Sequence, residues 1–326
     1  MRILVSGGAG YIGSHITRLL KQKNLNPIIF DNLSTGHDDI PKLLDVPFEQ
    51  GDICDTEDLI STFKKYEIDS VIHLAACSEV GESAVHPAKY YDNNVVGTIS
   101  VLRAMRMAKV KNIVFASSCA VYGEYCGSLW YPNSDRGFLS EESGERKPTS
   151  PYGHSKLMCE QIIADYSKAY GHNYSILRFF NVAGASTDNL IGERHNIRLV
   201  PLCVQGAELP VYGNDYMTRD GTCIRDYVHV EDVARAVFVA LNNIDSPDEN
   251  LAIMNVGSGE GHTVLEVIKI VEEVIGKKVD YTIDQRRKGD AAVAVANIDK
   301  LKSLGWKPQY DLRAIIQTAY NYMLSQ

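Results

Sequence analysis

The chain has 326 residues, of which 45% are hydrophobic and 23% are charged, a composition that suits a soluble protein of about two domains. Lys and Arg number 33 against 41 Asp and Glu, a net charge of −8, so the basic surface that nucleic acid requires is not expected. The 7 cysteines form no C-x-x-C pair, no signal peptide opens the chain, and no apolar run approaches the ~18 residues of a spanning helix. We therefore expect a cytoplasmic protein with free thiols, no metal site and no membrane contact.

The first half of the chain alternates short β-rich runs with helical stretches. Alternation of this kind predicts an α/β fold, a Rossmann-type doubly wound parallel sheet with helices on both faces. The predicted strands are Arg2–Ser6, Pro27–Phe30, Ser70–Leu74, Asn112–Ala116 and Ser175–Arg178. The longest predicted helices are Ala88–Ala108 and Tyr152–Tyr170.

After Asn181 the sequence changes character. Glycine, proline and polar residues increase through Gly184–Gly221, which indicates a smaller C-terminal α/β domain that carries loops. We predict one domain over residues 1–180 and a second over 181–326. Strand and helix patterns return in Arg225–Leu241, so residues 226–242 are predicted to cross back to the first domain.

A glycine loop follows the first predicted strand directly. Gly7, Gly10 and Gly13 recur every three residues in GGAGYIG, and a helix begins at about Tyr11 and Ile12. Small residues let the backbone approach a pyrophosphate, whose charge the helix N-terminus stabilises. The strand, loop and helix in this order favour a dinucleotide site over a simple surface turn.

Asp31 ends the second predicted strand. A carboxylate there can accept hydrogen bonds from an adenosine ribose diol and would repel a 2′-phosphate. No Arg or Lys lies between Asn32 and Asp39 to offset that repulsion. The pattern favours NAD over NADP as the cofactor.

Tyr152 and Lys156 stand four residues apart at the start of a predicted helix, so their side chains share one face. Tyr normally titrates near ~10, whereas a general base should titrate near ~7. A nearby ammonium group favours the phenolate by Coulomb attraction. Such a pair alone is usually a solvated helix face, but behind a dinucleotide loop it indicates a catalytic base.

Ser117 and Ser118 lie at the end of the strand Asn112–Ala116, at the sheet edge where open α/β folds bind ligands. Either hydroxyl could satisfy turn backbone. With Tyr152 nearby in the fold, Ser118 is interpreted as a donor to the substrate oxygen.

These residues together resemble the extended short-chain dehydrogenase/reductase family, and among its branches the UDP-glucose 4-epimerases. The resemblance covers almost the whole chain, and its most specific stretch, DGTCIRDYVHV, lies outside the glycine loop and Tyr-Lys region. The other stretches that carry it are SGGAGYIGSH, FDNLS, GDICD, IHLAA, VGES, YYDNNVVGT, SPYGHSK, LRFFNVAGA and RRKGD.

The resemblance implies an NAD site, a catalytic trio and a nucleotide-sugar site. The trio would be Ser118, Tyr152 and Lys156, with Tyr152 and Lys156 also at the cofactor. The implied NAD-site residues are Gly7, Gly10, Tyr11, Ile12, Gly13, Asp31, Asn32, Asp52, Ile53, Leu74, Ala75, Ala76 and Asn93. The implied substrate residues, besides Ser118 and Tyr152, are Asn181, Arg198, Tyr212, Arg225, Arg287, Asp290 and Ala294.

Three positions depart from the pattern of the family. Ser78 replaces a lysine of bacterial members near the nicotinamide ribose, and Arg198 replaces an Asn or His beside the diphosphate. Ala294 stands at a position that is larger in many relatives. These departures bear on substrate breadth, so epimerisation of N-acetylated UDP-hexosamines stays open beside that of UDP-glucose and UDP-galactose.

The reaction implied by the resemblance is an isomerisation at C4 of a UDP-hexose. Tyr152 would take the proton of the 4-hydroxyl while the hydride passes to NAD⁺, and the resulting 4-keto sugar would turn over and be reduced on its other face. Anchoring by the diphosphate uses remote binding energy for positioning. The resemblance also implies galactose metabolism and a homodimer built on the two long helices.

The sequence leaves two alternatives to the epimerase. A dehydratase on the same fold needs an acidic pair after the Ser, and this chain has Cys119-Ala120 there, which disfavours it. An NAD-binding nucleotide-sugar sensor without turnover would have no chemical need of Ser118, Tyr152 and Lys156 together.

Overall fold

The computed structural model describes residues 1–124, 138–142, 146–195, 197–246, 248–287 and 289–326. The N-terminal part alternates strands and helices: β1 Arg2–Ser6, α1 Tyr11–Gln22, β2 Asn26–Asp31, α2 Ile40–Leu44, β3 Phe48–Gln50, α3 Thr56–Tyr66, β4 Ser70–His73, α4 Val80–Val85, α5 Pro87–Tyr90, a π-helical turn Tyr91–Val96, α6 Gly97–Ala108 and β5 Asn112–Ser118. A 3₁₀ turn, Cys119–Tyr122, follows β5.

The remaining elements are β6 Phe138–Leu139, α7 Pro151–Tyr170, β7 Asn173–Phe179, β8 Asn181–Ala183, α8 Leu199–Val204, β9 Leu209–Tyr212, β10 Ile224–His229, α9 Val230–Asn242, a 3₁₀ turn Glu249–Leu251, β11 Ile253–Val256, β12 Gly261–Thr263, α10 Val264–Ile275, β13 Tyr281–Asp284, β14 Val293–Ala296, α11 Asp299–Ser303 and α12 Leu312–Ser325.

The central sheet has seven strands in the order β11-β7-β5-β4-β1-β2-β3. Strands β3, β2, β1, β4 and β5 pair in parallel, which requires helical crossovers between them. The strand order reverses between β1 and β4, and ligands bind open α/β sheets in the crevice at such a switch point. The predicted Rossmann-type doubly wound sheet is confirmed.

The predicted strands of this sheet are confirmed, with ends that differ by one or two residues. β2 runs through Asp31, and β5 continues through Ser117 and Ser118, so both serines belong to the strand. The short β3 was not predicted, because three residues carry too little periodicity.

The predicted helix Ala88–Ala108 is a continuous helical segment that begins one residue earlier and contains a π turn. The π turn surrounds Asn94, whose buried side chain bonds the backbone of Cys77 and the hydroxyl of Ser155. Apolar spacing alone does not signal such a turn, which is frequent at functional sites.

The chain divides into two compact units. Unit 1 comprises residues 1–121, 148–178 and 234–254, and unit 2 comprises residues 122–147, 179–233 and 255–326. The functional division predicted from the sequence, at residues 180 and 181 with a return over 226–242, stays a prediction.

The core of unit 1 lies around the central sheet. Leu4, Val71 and Phe115 from three neighbouring strands are buried with Leu102 of α6 and Ile163 of α7. Their alternation with polar residues is weak because a parallel sheet with helices on both faces buries both sides of its strands.

Unit 2 is organised on β10. This strand pairs in parallel with β8 and β14 and antiparallel with β12, while β9 and β13 form a separate parallel pair. Helices α8, α10 and α12 supply apolar residues to its core, among them Val200, Val267 and Ile315. The capping box of α10, Thr263 with Glu266, fixes the start of that helix.

Within the described ranges, we find no helix that is both long and apolar enough to span a bilayer.

Candidate active site

The glycine loop between β1 and α1 leaves no room for side chains. Gly7 has a φ of +75°, and a Cβ atom there would lie 2.7 Å from the backbone nitrogen of Ala75. A Cβ atom at Gly13 would lie 2.1 Å from the carbonyl oxygen of Gly7. Gly10 is the N-cap of α1, and among the described residues no side chain caps this helix. The N–H groups of its first turn, which begins at Tyr11 and Ile12, are directed toward the glycine loop and fit a pyrophosphate.

The segment after β4 lies against this loop. The backbone N–H groups of Leu74 and Ala75 both donate to the carbonyl of Ser6, at 3.0 and 3.1 Å. Ala76 follows directly. The segment Leu74–Ala76 therefore lies at the switch point between β1 and β4, as a cofactor site requires.

Asp31 is buried at the end of β2. Its carboxylate accepts the backbone N–H of Ala9 at 3.0 Å and that of Leu33 at 2.9 Å. Burial raises the pKa of Asp31, and these hydrogen bonds oppose the rise. The carboxylate is thus held against the glycine loop, in the position expected for a ribose acceptor.

Asn32 and Asp52 meet beside Asp31. The Asn32 amide donates to an oxygen of Asp52 at 3.0 Å, and the N–H of Cys54 donates to its other oxygen at 2.8 Å. The Cys54 hydrogen bond is the largest cause that lowers the pKa of Asp52. Ile53, which lies between Asp52 and Cys54 in the sequence, is buried. The predicted residues around the adenosine end are therefore brought together.

Asn93 lies in the π turn and donates from its amide to the side-chain oxygen of Asn94 at 2.9 Å. That oxygen also accepts the backbone N–H of Cys77 at 2.8 Å. The structure thereby holds Asn93 near the segment after β4, and its role at the cofactor stays a prediction.

The N-terminus of α7 fixes Tyr152. Ser150 is the N-cap and accepts the N–H of Gly153 at 3.1 Å, and Pro151 occupies the first turn. A Cβ atom at Gly153 would lie 2.7 Å from the carbonyl of Ala120, so α7 packs closely on the turn after β5. The Tyr152 ring is buried and lies edge-on to Tyr90, with 6.4 Å between centroids.

Lys156 is buried one turn further along α7. Its side chain is 3% exposed, and its Nζ donates to the carbonyl of Ala116 at 2.7 Å. The Nζ also lies 4.7 Å from the centroid of the Phe115 ring, a cation–π contact. Burial lowers the pKa of Lys156 to about 8. An ammonium group is thus held inside unit 1 on the same helical face as Tyr152.

Ser118 is the last residue of β5, two residues beyond Ala116, whose carbonyl accepts the hydrogen bond from Lys156. Its Oγ accepts the N–H of Ala120 at 3.2 Å and remains partly exposed. β5 therefore carries the lysine acceptor and Ser118 at the same sheet edge, against the helix that carries Tyr152.

In unit 2, a second set of predicted residues gathers at β10 and β14. Arg225 and Ala294 are register partners in the parallel pair of these strands. An Nη of Arg225 donates to the carbonyl of Ala291 at 2.7 Å, and the guanidinium lies 3.5 Å from the carboxylate of Asp290. Asn181 of β8 pairs with β10 at Tyr227.

Arg287 and Tyr212 form a contact of their own, in which the guanidinium carbon lies 3.7 Å from the ring centroid. The guanidinium of Arg287 thus lies over one face of the Tyr212 ring as a cation–π contact. Arg198 makes an ion pair with Glu193 at 2.6 Å. Ser78 lies one residue beyond Cys77, in the segment after β4.

Two groups of buried polar residues near these sites were not predicted. Asp226 follows Arg225 and accepts backbone N–H groups of Ser258, Gly259 and Ala296. Glu160 and Arg178 form a buried ion pair beside β5. The only sequence signal for these buried polar groups is a charged residue within an otherwise apolar run.

Among the described residues, no group of three or more His, Cys, Asp or Glu side chains could hold a metal ion. Six cysteines there are free thiols, whereas Cys126 lies outside the described residues.

The tight glycine loop, Asp31 at the end of β2 and the buried Tyr-Lys helix define a dinucleotide-binding protein of the Rossmann class. The chain belongs to the NAD dependent epimerase/dehydratase family, whose model matches residues 3–257.

The similarity of this chain to each of three relatives extends over nearly the full length of both proteins. The chain is 42% identical to a UDP-glucose 4-epimerase of Rhizobium meliloti (strain 1021), with 98% of this chain and 96% of that protein covered. It is similar to the crystal structure of UDP-glucose-4-epimerase from Stenotrophomonas maltophila with bound NAD and formylated UDP-arabinopyranose, at a TM-score of 0.89 and 38% identity, with 100% and 98% of the two chains covered. It is also similar to the UDP-Glc/GlcNAc 4-epimerase of Campylobacter jejuni, at a TM-score of 0.82 and 36% identity, with 100% and 99% covered.

Proposed function

We propose that this protein is an NAD-dependent UDP-hexose 4-epimerase that interconverts UDP-glucose and UDP-galactose. The observation that carries the proposal is the buried ammonium group of Lys156. It lies on α7 one turn after Tyr152 and donates to a carbonyl of β5, within a unit that has the features of a dinucleotide-binding fold. A lysine buried at this depth is costly, and buried ionisable groups with shifted pKa values cluster at functional sites.

In this proposal unit 1 holds NAD. The glycine loop and the start of α1 would hold the pyrophosphate, and Asp31 would accept the adenosine ribose hydroxyls. Asn93 and the segment Leu74–Ala76 lie along the rest of the cofactor. When bound, NAD supplies the acceptor, and then the donor, of the hydride at C4.

The chain's own residues handle the proton. Tyr152 as phenolate takes the proton of the sugar 4-hydroxyl when the C4–H bond breaks, and returns it when the bond re-forms on the opposite face. The positive charge of Lys156 stabilises the phenolate by Coulomb attraction. Ser118 donates a hydrogen bond to the same sugar oxygen, which stabilises that oxygen as it loses its proton and becomes the ketone oxygen.

Unit 2 holds the part of the substrate that does not react. Arg225 and Arg287 bind the diphosphate, because their planar forks match phosphate oxygens in pairs. Asn181, Tyr212, Arg198 and Asp290 complete this site. The keto sugar must rotate between the two hydride transfers, so its anchorage through the diphosphate keeps it from leaving.

Substrate breadth is a second part of the proposal. Ala294 is the register partner of Arg225, and its methyl group leaves room that a larger side chain would fill. The similar Campylobacter jejuni protein is described as a UDP-Glc/GlcNAc 4-epimerase. We infer that N-acetylated UDP-hexosamines are accepted here as well.

We further propose a cytoplasmic homodimer that acts in galactose metabolism. Apolar side chains are exposed on the two long helical segments, with Met107 66% and Met158 45% exposed. Such residues on α6 and α7 suit packing against a second copy. The free thiols of the described cysteines agree with a reducing compartment.

The proposal is tested by incubating the purified protein with UDP-galactose and no added redox partner. UDP-glucose should form until an equilibrium mixture is reached. Tyr152→Phe should slow this by about 10²-fold or more while the fold is kept, because only the base is lost. Binding of NAD and UDP-sugar without turnover by the wild type would favour the sensor instead.

A further inference from the structure

A chain of buried polar contacts links α7 to two neighbouring strands of the central sheet. The Arg178 guanidinium of β7 donates to both oxygens of Glu160, at 2.9 and 2.6 Å. The Ser117 hydroxyl of β5 donates to the same carboxylate at 2.5 Å. The Arg178 side chain is 0% exposed and that of Glu160 is 5% exposed.

This cluster adjoins Lys156. Glu160 follows Lys156 by one helical turn, so the two side chains leave α7 on the same face. Lys156 donates to the carbonyl of Ala116, and the next residue of β5 is Ser117, which donates to Glu160. Lysine and glutamate thus hold adjacent residues of the strand that ends in Ser118.

Besides Glu160, the titratable groups that face Lys156 include Tyr152 on the same face of α7, His73 of β4, Cys77 and Cys159. His73 of β4 is neutral, because burial lowers its pKa to about 3. Cys77 and Cys159 stay protonated, because burial raises the pKa of each thiol. Burial of Lys156 favours its neutral form, and the carboxylate of Glu160 opposes this.

We propose that the buried Glu160–Arg178 pair consists of positioning residues that set the pH range in which Lys156 keeps its charge. The inference rests on the proposed function, in which that charge supports Tyr152. The two hydrogen bonds from Arg178 hold the Glu160 carboxylate in one position. Its negative charge therefore acts on Lys156 from a fixed place on the same face of α7.

The test is the pH dependence of kcat/KM for UDP-galactose in three variants. Glu160→Gln removes the negative charge and leaves Arg178, so the alkaline fall in activity should move down by about one pH unit. Arg178→Met leaves the carboxylate unbalanced, so the fall should move up, by a smaller amount. A role in packing alone would not produce shifts of opposite sign.

Breaking a buried ion pair can prevent folding. The double variant Glu160→Gln/Arg178→Met leaves neither charge of the pair without its partner and should fold. Glu160 lies on α7 one turn from Lys156, whereas Arg178 lies on β7, so the double variant should still lose activity at a lower pH than the wild type, by less than Glu160→Gln does.

The matched control is Glu49→Gln, which removes the carboxylate of an ion pair with Lys65 on the surface of the same unit. Its profile should coincide with that of the wild type. If the folded variants of Glu160 and Arg178 also share the wild-type profile, the inference is wrong while the proposed function stands. If the wild type does not convert UDP-galactose, the proposed function fails and this inference fails with it.

Discussion

A charged lysine inside a protein must be held there by its neighbours. Lys156 has one hydrogen-bond acceptor, the carbonyl of Ala116, and an aromatic ring below it. Neither compensates fully for lost hydration, and the pKa of Lys156 therefore falls to about 8. The protein thus keeps a residue that costs stability, which is expected where function requires the charge.

Replacement of this lysine should therefore separate stability from activity. The pKa of Lys156 in the folded protein lies below the ordinary value of a lysine. Its burial therefore lowers the free energy of unfolding in full below pH 8, and this loss of stability declines as pH rises toward about 10.5. Lys156→Met should raise the free energy of unfolding at pH 7 by about 1–3 kcal/mol, after allowance for the lost hydrogen bond. Its activity should fall by at least about 10²-fold.

Chemical denaturation of the NAD-free protein at pH 7 and pH 9.5 measures this effect. The stability advantage of Lys156→Met over the wild type should shrink at the higher pH. An advantage that is the same at both pH values, or a variant that is less stable at pH 7, would contradict the burial account.

Asp31 supports a second residue-scale prediction. Asp31→Ala removes the ribose acceptor and the repulsion of a 2′-phosphate, so affinity for NAD should fall and discrimination against NADP should lessen. Chromatography of the cofactor released from the purified wild type provides the reference. A wild type that carries mainly NADP would show that the interpretation of Asp31 is wrong.

At the scale of elements, the sequence predicted the parallel strands and the glycine loop because each has a local signature. Arg2–Ser6 was predicted to the residue, since buried parallel strands are short apolar runs bounded by glycine. The π turn around Asn94 and the ion pair of Glu160 with Arg178 were not predicted. Both depend on contacts between residues distant in sequence, such as Asn94 with Cys77 and Ser155, and no single-segment pattern records them.

The pairing of β10 with β14 determines a prediction on substrate breadth. Ala294 stands opposite Arg225, which is proposed to bind the diphosphate. The resemblance to the epimerases implies that this position faces the 2-substituent of the sugar, so a large side chain there should crowd that substituent. Ala294→Tyr should lower kcat/KM for UDP-N-acetylglucosamine selectively, and that for UDP-glucose much less. An equal fall for both substrates, or a wild type that ignores the acetylated sugar, would rule out this role.

At the scale of the whole molecule, each unit carries one half of the proposed chemistry. Unit 1 has the glycine loop, Asp31 and the Tyr-Lys helix, and unit 2 has the arginines suited to a diphosphate. This separation explains why the glycine loop could be found from local motifs, whereas the substrate residues required the resemblance.

The proposed homodimer is a property of the whole molecule and can be tested directly. Sedimentation equilibrium should give twice the mass of one chain, and Met107→Glu should produce monomers, because a charge would be buried in the interface. Leu324→Glu is the control, since Leu324 is 64% exposed on α12, outside the proposed interface. A wild-type monomer, or a Met107→Glu dimer, would overturn the proposed assembly.

The central claim is that the hydrogen at C4 leaves the sugar and returns to the same carbon without exchange. The most direct measurement uses UDP-galactose with deuterium at C4, incubated with the purified protein in ordinary water and without an added redox partner. The account predicts UDP-glucose that retains the deuterium at C4, with Tyr152→Phe at least about 10²-fold slower. Absence of conversion, or UDP-glucose that has lost the label to water, would contradict it.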